Sequence, residues 1–243
     1  MENNIIIHMK EGYTPRERPI QASGPMLMDI LEDQKTQMRF VIEPQPHPSC
    51  VKDGAGWHWH GRGQVDEYVW NSSVDALTQS MAAEGSPYGR VGDWLWVQED
   101  AYIAPPNFTG PDRNLCNKVD DQGRPRIVGW VTTMSADAIR CAKDYGVELT
   151  NAPLIPRWAS QLTLEITDVR IQHLQDISEE DAKAEGIRLT HGGVFVGREG
   201  PGNLITPWPT AREAFADIWD DLHGPDAWAS NPWVWAMKFK RAQ

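Results

Sequence analysis

The chain has 243 residues, of which 34 are acidic and 23 are basic, so its formal net charge is −11. No run of about 18 apolar residues occurs, which excludes a membrane-spanning helix. Hydrophobic residues make up 40% of the chain, a composition typical of a globular protein rather than a disordered one. Twelve tryptophans, against five phenylalanines and five tyrosines, favour a flat aromatic ligand, whereas the negative charge argues against a broad phosphate-binding surface.

The cysteines and the first residues of the chain predict a cytoplasmic location. Cys50, Cys116 and Cys141 are widely spaced and odd in number, which is not the pattern of a disulfide framework. The short apolar stretch at residues 5–7 has no basic residues before it, so it does not resemble a secretory signal. We predict that residues 1–16 form a loose extension and that residues 17–243 form a single domain.

Hydrophobic periodicity predicts helices and strands in an irregular order. Residues 25–33 have apolar residues at helical spacing and predict a helix, and residues 35–42 predict the strand that follows it. Further strands are predicted at residues 94–97, 126–132, 161–171 and 233–240. Further helices are predicted at residues 135–145, 178–185 and 210–223. Clusters of proline and glycine predict loops at residues 44–63, 105–123, 153–156 and 192–209.

This order of elements favours an α+β fold. The predicted strands are short and do not alternate regularly with helices, so a small mixed β-barrel with flanking helices fits better than a doubly wound sheet. The turn-rich residues 101–156 are predicted to be an insertion rather than a second core. Thr210 and Glu213 form a capping box at the start of one helix, and Ser178 with Asp181 comes close to one at the start of another.

Three charged residues are candidates for a functional site. Lys35 and Arg39 flank the start of a predicted strand, where they could point cations into a shared pocket or remain solvated charges at a sheet edge. Glu185 ends a predicted helix, a position where the helix dipole disfavours a carboxylate. Either a function requires Glu185 at this position, or its side chain faces water, as most glutamates do.

Residues 47–60 offer a set of alternative metal ligands. His47, Cys50, His58 and His60 are of the types that bind zinc, and the alternation of His58 and His60 places both on one side of a strand. Zinc sites usually have paired short spacings, which this segment lacks. We therefore predict that this segment is an ordinary loop without a metal site. A structural metal site formed by these four residues is the alternative.

Four tryptophans are candidates for stacking on a ligand. Trp94 and Trp96 share one face of a predicted strand, where packing in the core is the alternative explanation. Trp57 and Trp59 lie in a predicted loop, where core packing does not require two large rings. A base stacked on an aromatic ring gains about 1–3 kcal/mol.

Several segments together resemble the ASCH domain, a branch of the PUA-like superfamily. The segments are residues 28–36 (MDILEDQKT), 92–97 (GDWLWV), 164–167 (LEIT), 177–186 (ISEEDAKAEG) and the closing 233–240 (WVWAMKFK). The resemblance covers about residues 19–240, with the insertion as an interruption. ASCH-like proteins of tailed phages and prophages contain segments similar to SGPM, PRWASQLTLEITDVR, LQDISEEDAKAEGI and NPWVW of this chain. This similarity suggests a phage-related origin.

The resemblance implies a small PUA-like β-barrel with a cleft that binds RNA or a modified nucleobase. One bacterial member of the family is an acetylcytidine amidohydrolase, and its catalytic lysine and glutamate fall on Lys35 and Glu185. Its catalytic threonine falls on Met38, whose thioether can neither attack a carbonyl nor relay a proton. Hydrolysis by this chain would therefore need a water molecule activated by Lys35 or Glu185, with Arg39 holding the substrate.

Three functional hypotheses follow from the resemblance and the residues. The first is an amidohydrolase that acts on an acylated nucleoside or nucleobase. The second is a binding module for a nucleoside, a nucleobase or single-stranded RNA, with the candidate tryptophans stacking on the ligand. The third is a non-catalytic phage protein that binds another protein through its insertion and retains a vestigial pocket. None of the three requires a cofactor or a membrane, and we expect the protein in the cytoplasm of the host cell if a phage encodes it.

Overall fold

The computed structural model describes residues 14–51, 54–60, 68–71, 86–105, 108, 118–197 and 206–242. At residues 47–51, 54–60 and 68–71 the description covers the backbone alone. Most of the predicted extension at residues 1–16 therefore lies outside the described residues.

A five-stranded mixed sheet forms the centre of the fold. Its members are β1 (Glu17–Gln21), β2 (Gln37–Val41), β6 (Trp94–Gln98), β12 (Thr163–His173) and β15 (Trp233–Arg241). They lie in the order β1-β6-β12-β15-β2, with β1 and β6 parallel and the other neighbours antiparallel. The predicted α+β class is confirmed, and none of the sheets in the described part of the chain closes into a barrel.

Among the described residues, ten shorter strands form four smaller sheets. The strands β3 (His47–Val51), β4 (Gly54–His60) and β5 (Tyr68–Asn71) form one sheet. The strands β7 (Ala101–Ile103), β10 (Val128–Trp130) and β11 (Leu149–Thr150) form a second. The two-stranded sheets are β8 (Lys118–Val119) with β9 (Pro125–Arg126), and β13 (Arg188–Leu189) with β14 (Phe195–Val196).

The described α-helices are α1 (Gly24–Leu31), α2 (Ala136–Asp144), α3 (Glu179–Ala184) and α4 (Ala211–His223). All four were predicted from periodicity and capping residues. The Thr210–Glu213 capping box at α4 is present with both of its hydrogen bonds. Helix α1 begins after Ser23, whose hydroxyl accepts a hydrogen bond from the Met26 amide.

Helices cover the central sheet on both faces. On one face, Leu27 and Ile30 of α1 pack into the main core against Trp235 and Met237 of β15. On the other face, α3 and α4 form a second apolar cluster, in which Phe215 lies with other buried residues near β15. Because neighbouring residues of a strand point to opposite faces, β2 and β15 divide their side chains between the two clusters.

The middle of the chain, predicted to be an insertion, contains β7 to β11 and α2. It has two small apolar clusters of its own, one around Val128 and Ile155 and the other around Tyr102 and Val147. The strand predicted at residues 126–132 is divided between β9 and β10.

The loop predicted at residues 44–63 is wrong in part. Strands β3 and β4 form an antiparallel hairpin there, and β5 pairs with the outer edge of β4. Three prolines and four glycines in this stretch signal turns locally, but pairing with neighbouring strands prevails over that signal. Trp57 and Trp59 therefore lie in a strand and not in a loop. Short strands also occur within two other predicted loops, β8 in residues 105–123 and β14 in residues 192–209.

Candidate functional site

The end of α3 places Glu185 against the start of β2. The hydroxyl of Ser178 caps the helix by accepting a hydrogen bond from the Asp181 amide at 3.0 Å. The helix ends at Ala184 with Glu185 as its C-cap, and Gly186 follows with φ of +101°, a conformation that L-residues rarely adopt. A Cβ at Gly186 would lie 3.3 Å from Asp29 Oδ2, so the close approach of α1 also favours glycine.

Lys35 pairs with Glu185 through both backbone and side chain. The two residues form an isolated antiparallel bridge, and the Thr36 amide donates to the carbonyl oxygen of Ala184 at 2.8 Å. Lys35 Nζ donates to Glu185 Oε2 at 2.7 Å and to the Glu185 backbone oxygen at 2.8 Å. The ammonium group is therefore held by two acceptors from one residue.

Arg39 binds the other oxygen of the same carboxylate. Its Nη1 donates to Glu185 Oε1 at 2.5 Å, and its guanidinium carbon lies 5.7 Å from the centre of the Phe215 ring. The exposed fractions of the Lys35, Arg39 and Glu185 side chains are 9%, 0% and 4%. The alternatives in which these charges are solvated are therefore wrong, and the three groups form one buried cluster.

A second carboxylate extends this cluster. Asp181 Oδ2 lies 3.4 Å from Arg39 Nη2 and 3.0 Å from Arg170 Nη2, and Asp181 Oδ1 lies 3.6 Å from Lys238 Nζ. Burial acts to raise the pKa of Asp181, but Arg170, Arg39 and Lys238 together hold that pKa below its ordinary value. We name Lys35, Arg39, Arg170, Asp181 and Glu185 the charged cluster.

Gln37 lies beside the charged cluster and is fully buried. Its Oε1 accepts a hydrogen bond from Arg170 Nη2 at 3.0 Å. Within the part of the chain that the structure describes, Gln37 Nε2 and Arg39 Nε have no acceptor. Burying a donor without an acceptor costs free energy, so the site would favour a ligand that offers acceptors to these two nitrogens.

Met38 points away from the charged cluster. It lies opposite Met237 in the register of β2 and β15, and its side chain is buried in the main core. Arg39, its neighbour in β2, points to the opposite face of the sheet, towards α3 and α4. Met38 is therefore separated from Glu185 by the backbone of the strand.

Trp94 and Trp96 lie on the same face of the central sheet as Arg39, three strands away from β2. Trp94 is 37% exposed and Trp96 is half-buried, while Leu95 between them enters the core. Core packing therefore does not account for these two rings, although it does account for the buried Trp235. The structure brings Lys35, Arg39 and Glu185 into contact and leaves both tryptophans at a distance from them.

The side chains of six other candidates lie outside the described residues. They belong to Trp57, Trp59, His47, Cys50, His58 and His60. The backbone register of β3 and β4 sets His47 opposite His58. Among the side chains that the structure describes, no group of three or more residues could hold a metal ion.

An open depression of about 610 Å³ is lined by the sequence neighbours of Lys35 and Glu185, but no residue of the charged cluster lines it. Thr36, Ala184, Arg188 and Phe195 contribute to its wall. The sequence analysis did not identify Gln37, Arg170, Asp181 or Lys238 as site residues, and the alternating pattern of β12 was the only signal that placed Arg170 on a particular face. Their contacts depend on the register of three strands, which local sequence does not show.

Comparison with known proteins found no matching family model, no matching curated protein and no matching solved structure. In the described part of the chain, no helix is both long enough and apolar enough to cross a membrane.

Proposed function

We propose that this chain is an ASCH-type protein of the PUA-like superfamily that binds a modified nucleobase or nucleoside beside the charged cluster. The contact between Glu185 and its two cations carries the proposal. Lys35 and Arg39 are 150 and 146 residues away from Glu185 in sequence, yet both bind its carboxylate. The lysine and the glutamate are the two residues that the resemblance to the family implies for the site.

The cost of burying the cluster supports a functional role. Removing charges from water costs several kcal/mol per ion, and apolar residues of similar size often stabilise a protein at least as well. The buried donors of Gln37 and Arg39 add to this cost because they have no acceptor among the described residues. A ligand that brings acceptor groups to the charged cluster would satisfy them.

The central sheet fits this proposal as one wall of a PUA-like barrel. The face that carries Arg39 also carries Trp94 and Trp96, so an aromatic surface and a cationic one belong to the same side of the sheet. The net charge of −11 favours a small ligand over a long stretch of single-stranded RNA. The same resemblance carries the proposal of a phage-related origin, and the cysteine pattern carries that of a cytoplasmic location.

Hydrolysis of an acylated nucleoside is a second candidate, favoured by the 2.7 Å contact between Lys35 Nζ and Glu185 Oε2. In this reaction a water oxygen bonds to the acyl carbon, and Glu185 accepts a proton from the water. The carbon–nitrogen bond then breaks as Lys35 donates a proton to the leaving amine. The proton on Glu185 passes to Lys35, so the products are the amine and the carboxylic acid.

Calorimetric titration with N4-acetylcytidine tests the binding proposal. We expect the wild-type protein to bind and Lys35→Met to lose affinity, because the ammonium group is removed. Arg140→Ala, on the exposed surface of α2, is the control and should bind as the wild type does. Lys35→Arg retains the charge, and its urea unfolding shows whether the site tolerates substitution. Absence of binding by the folded wild-type protein to acetylated and unmodified cytidine, and to their 5′-monophosphates and RNA, would overturn the proposal.

Mass spectrometry of the same mixtures tests the second candidate. Cytidine formed by the wild type above the level with Lys35→Met supports hydrolysis. Bound acetylcytidine that stays intact over hours would rule it out and leave a binding module.

A further inference from the structure

The half of the charged cluster around Asp181 has more cations than its carboxylates balance. Arg39, Arg170 and Lys238 all lie within 3.6 Å of the single carboxylate of Asp181. Arg170 has a further carboxylate partner, because its Nε lies 3.0 Å from Asp168 Oδ2. Arg39 is shared with Glu185, which also binds Lys35. Four cations, those of Lys35, Arg39, Arg170 and Lys238, therefore face the three carboxylates of Asp168, Asp181 and Glu185. This group has an excess positive charge, although the net charge of the protein is strongly negative.

The register of three strands brings these cations to one place. Ala236 of β15 lies between Arg39 of β2 and Arg170 of β12, on the same face of the sheet. Because the side chain of Ala236 is only a methyl group, the two guanidinium groups can meet above it at Asp181. Lys238 lies two residues further along β15, opposite Gln37.

Part of this group reaches solvent. The side chains of Arg170 and Lys238 are 36% and 45% exposed, whereas those of Arg39 and Asp181 are buried. A ligand could therefore approach from the side of Arg170 and Lys238 and meet the buried donors beyond them.

The buried donors call for an acceptor. Gln37 Oε1 is bound by Arg170, so its Nε2, which has no acceptor in the described residues, lies beside the Arg170 guanidinium. Arg39 Nε is likewise without an acceptor there. An anion with several oxygens could accept hydrogen bonds from these nitrogens and balance the excess charge.

We propose that Gln37, Arg39, Arg170 and Lys238 bind a phosphoryl group, so that the ligand is a nucleotide or a nucleic-acid phosphodiester rather than an uncharged nucleoside. This inference rests on the proposed function, because the phosphoryl group would be a second part of the ligand that carries the nucleobase. A net gain equal to that of one hydrogen bond from a charged group would tighten binding about 10- to 100-fold.

Titration with matched ligands tests this inference. N4-acetylcytidine, its 5′-monophosphate, inorganic phosphate and a short single-stranded RNA are compared by calorimetry. We expect the monophosphate to bind about 10- to 100-fold more tightly than the nucleoside. RNA that binds more tightly than the monophosphate, with affinity that falls steeply with salt, identifies a phosphodiester as the source of the group. A mononucleotide is the source if RNA binds no better.

Two variants assign the effect to this site. Lys238→Ala removes the exposed cation, and Gln37→Glu replaces the amide with a carboxylate of the same shape that Arg170 can still bind. Both should reduce the ratio of the nucleoside's dissociation constant to that of the monophosphate, because each removes a donor or a cation from the phosphoryl group. Lys240→Ala is the matched control, because Lys240 is an exposed cation of the same strand that pairs with Glu165 instead. Urea unfolding of each variant confirms that it is folded.

The outcomes separate this inference from the proposed function. Equal affinity for the nucleoside and its monophosphate overturns the phosphoryl site and leaves the proposed function standing. A monophosphate advantage that Lys238→Ala and Gln37→Glu both retain also overturns it. Failure of the nucleoside, the monophosphate and the RNA to bind overturns the proposed function itself.

Discussion

At the scale of single residues, Glu185 shows how a locally unfavourable position becomes stable. A carboxylate at the carboxyl end of a helix meets the negative end of the helix dipole. Lys35 and Arg39 offset this cost, because each donates a hydrogen bond to one of its oxygens. The arrangement is buried, so each of the three charges depends on the other two.

Removing Glu185 should therefore destabilise the fold strongly. We expect Glu185→Ala to lower the free energy of unfolding by about 3–5 kcal/mol, because Lys35 and Arg39 lose their shared counter-charge. Urea unfolding followed by tryptophan fluorescence measures the loss. Glu165→Ala, which removes a partly exposed pair with Lys240, should change stability by less than about 1 kcal/mol. Equal effects of the two substitutions would contradict the buried pairing.

Glu99 should make stability depend on pH. Burial raises its pKa, and hydrogen bonds from Thr132 and Gln161 offset this only in part. Since the folded state holds this proton up to a higher pH, the group stabilises the fold fully below its unfolded pKa. That contribution is lost as the pH rises through the folded value. The stability of Glu99→Gln relative to wild type should therefore rise between pH 4 and pH 8, measured by urea unfolding.

Glu17 is a control for this experiment, because its pKa is shifted in the opposite direction to that of Glu99. The hydrogen bond from Arg157 lowers the pKa of Glu17, so this group stabilises the fold above its unfolded pKa and loses its effect as the pH falls. Glu17→Gln should lose stability relative to wild type as the pH rises. If the stability difference from wild type changed with pH in the same direction for both variants, neither pKa shift would govern the pH dependence.

At the scale of elements, α3 is too short to be stable by itself and is held by its neighbours. Ser178 caps its first turn. The carboxylate of Glu179 accepts hydrogen bonds from the amides of Ala211 at 2.9 Å and Arg212 at 3.2 Å, so the start of α3 also caps the start of α4. The position of Asp181 and Glu185 therefore depends on α4 as well as on β2.

Loss of the α3 cap should affect both stability and the site. We expect Ser178→Ala to cost about 1 kcal/mol of unfolding free energy and to weaken ligand binding, because the first turn carries Asp181. Ser135→Ala removes the equivalent cap of α2, where the hydroxyl accepts from the Ala138 amide at 3.2 Å. It should cost similar stability and leave binding unchanged. Unfolding and calorimetry together measure the difference, and equal binding by the two variants would refute the role given to α3.

At the scale of the whole molecule, the central sheet separates two chemically different sides. One face is an apolar core closed by α1, and the other combines an apolar cluster under α4 with the charged cluster under α3. Ala236 lies on the second face, fully buried between the strands of Arg39 and Arg170. The small size of this residue lets three strands contribute to one cluster.

A larger residue at position 236 should separate that cluster. We expect Ala236→Leu to cost about 1–3 kcal/mol by overpacking and to move Arg170 away from Gln37 and Asp181. Unfolding measures the cost, and calorimetry with the monophosphate should show a loss of affinity. Ala242→Leu, at the half-buried end of the chain, is the control and should have little effect on either measurement. Unchanged stability in Ala236→Leu would contradict the close packing described for this face.

Local sequence determined the helices, most of the long strands and the capping residues of this protein. Hydrophobic periodicity and caps act within a few residues, and they predicted α1 to α4 and the strands of the central sheet other than β1. The sequence also identified Lys35, Arg39 and Glu185 as candidates, but it left open whether they were solvated. Only the tertiary structure decided this, because the three side chains meet across about 150 residues of chain.

Tertiary structure also decided which face each residue occupies and which partner it meets. The hairpin of β3 and β4 depends on pairing that prevailed over local turn signals. The burial of Met38 in the main core, the exposure of Trp94 and the meeting of Arg170 with Gln37 all depend on strand register. A periodic pattern reports that a residue is buried, but the register of the sheet determines what it is buried against.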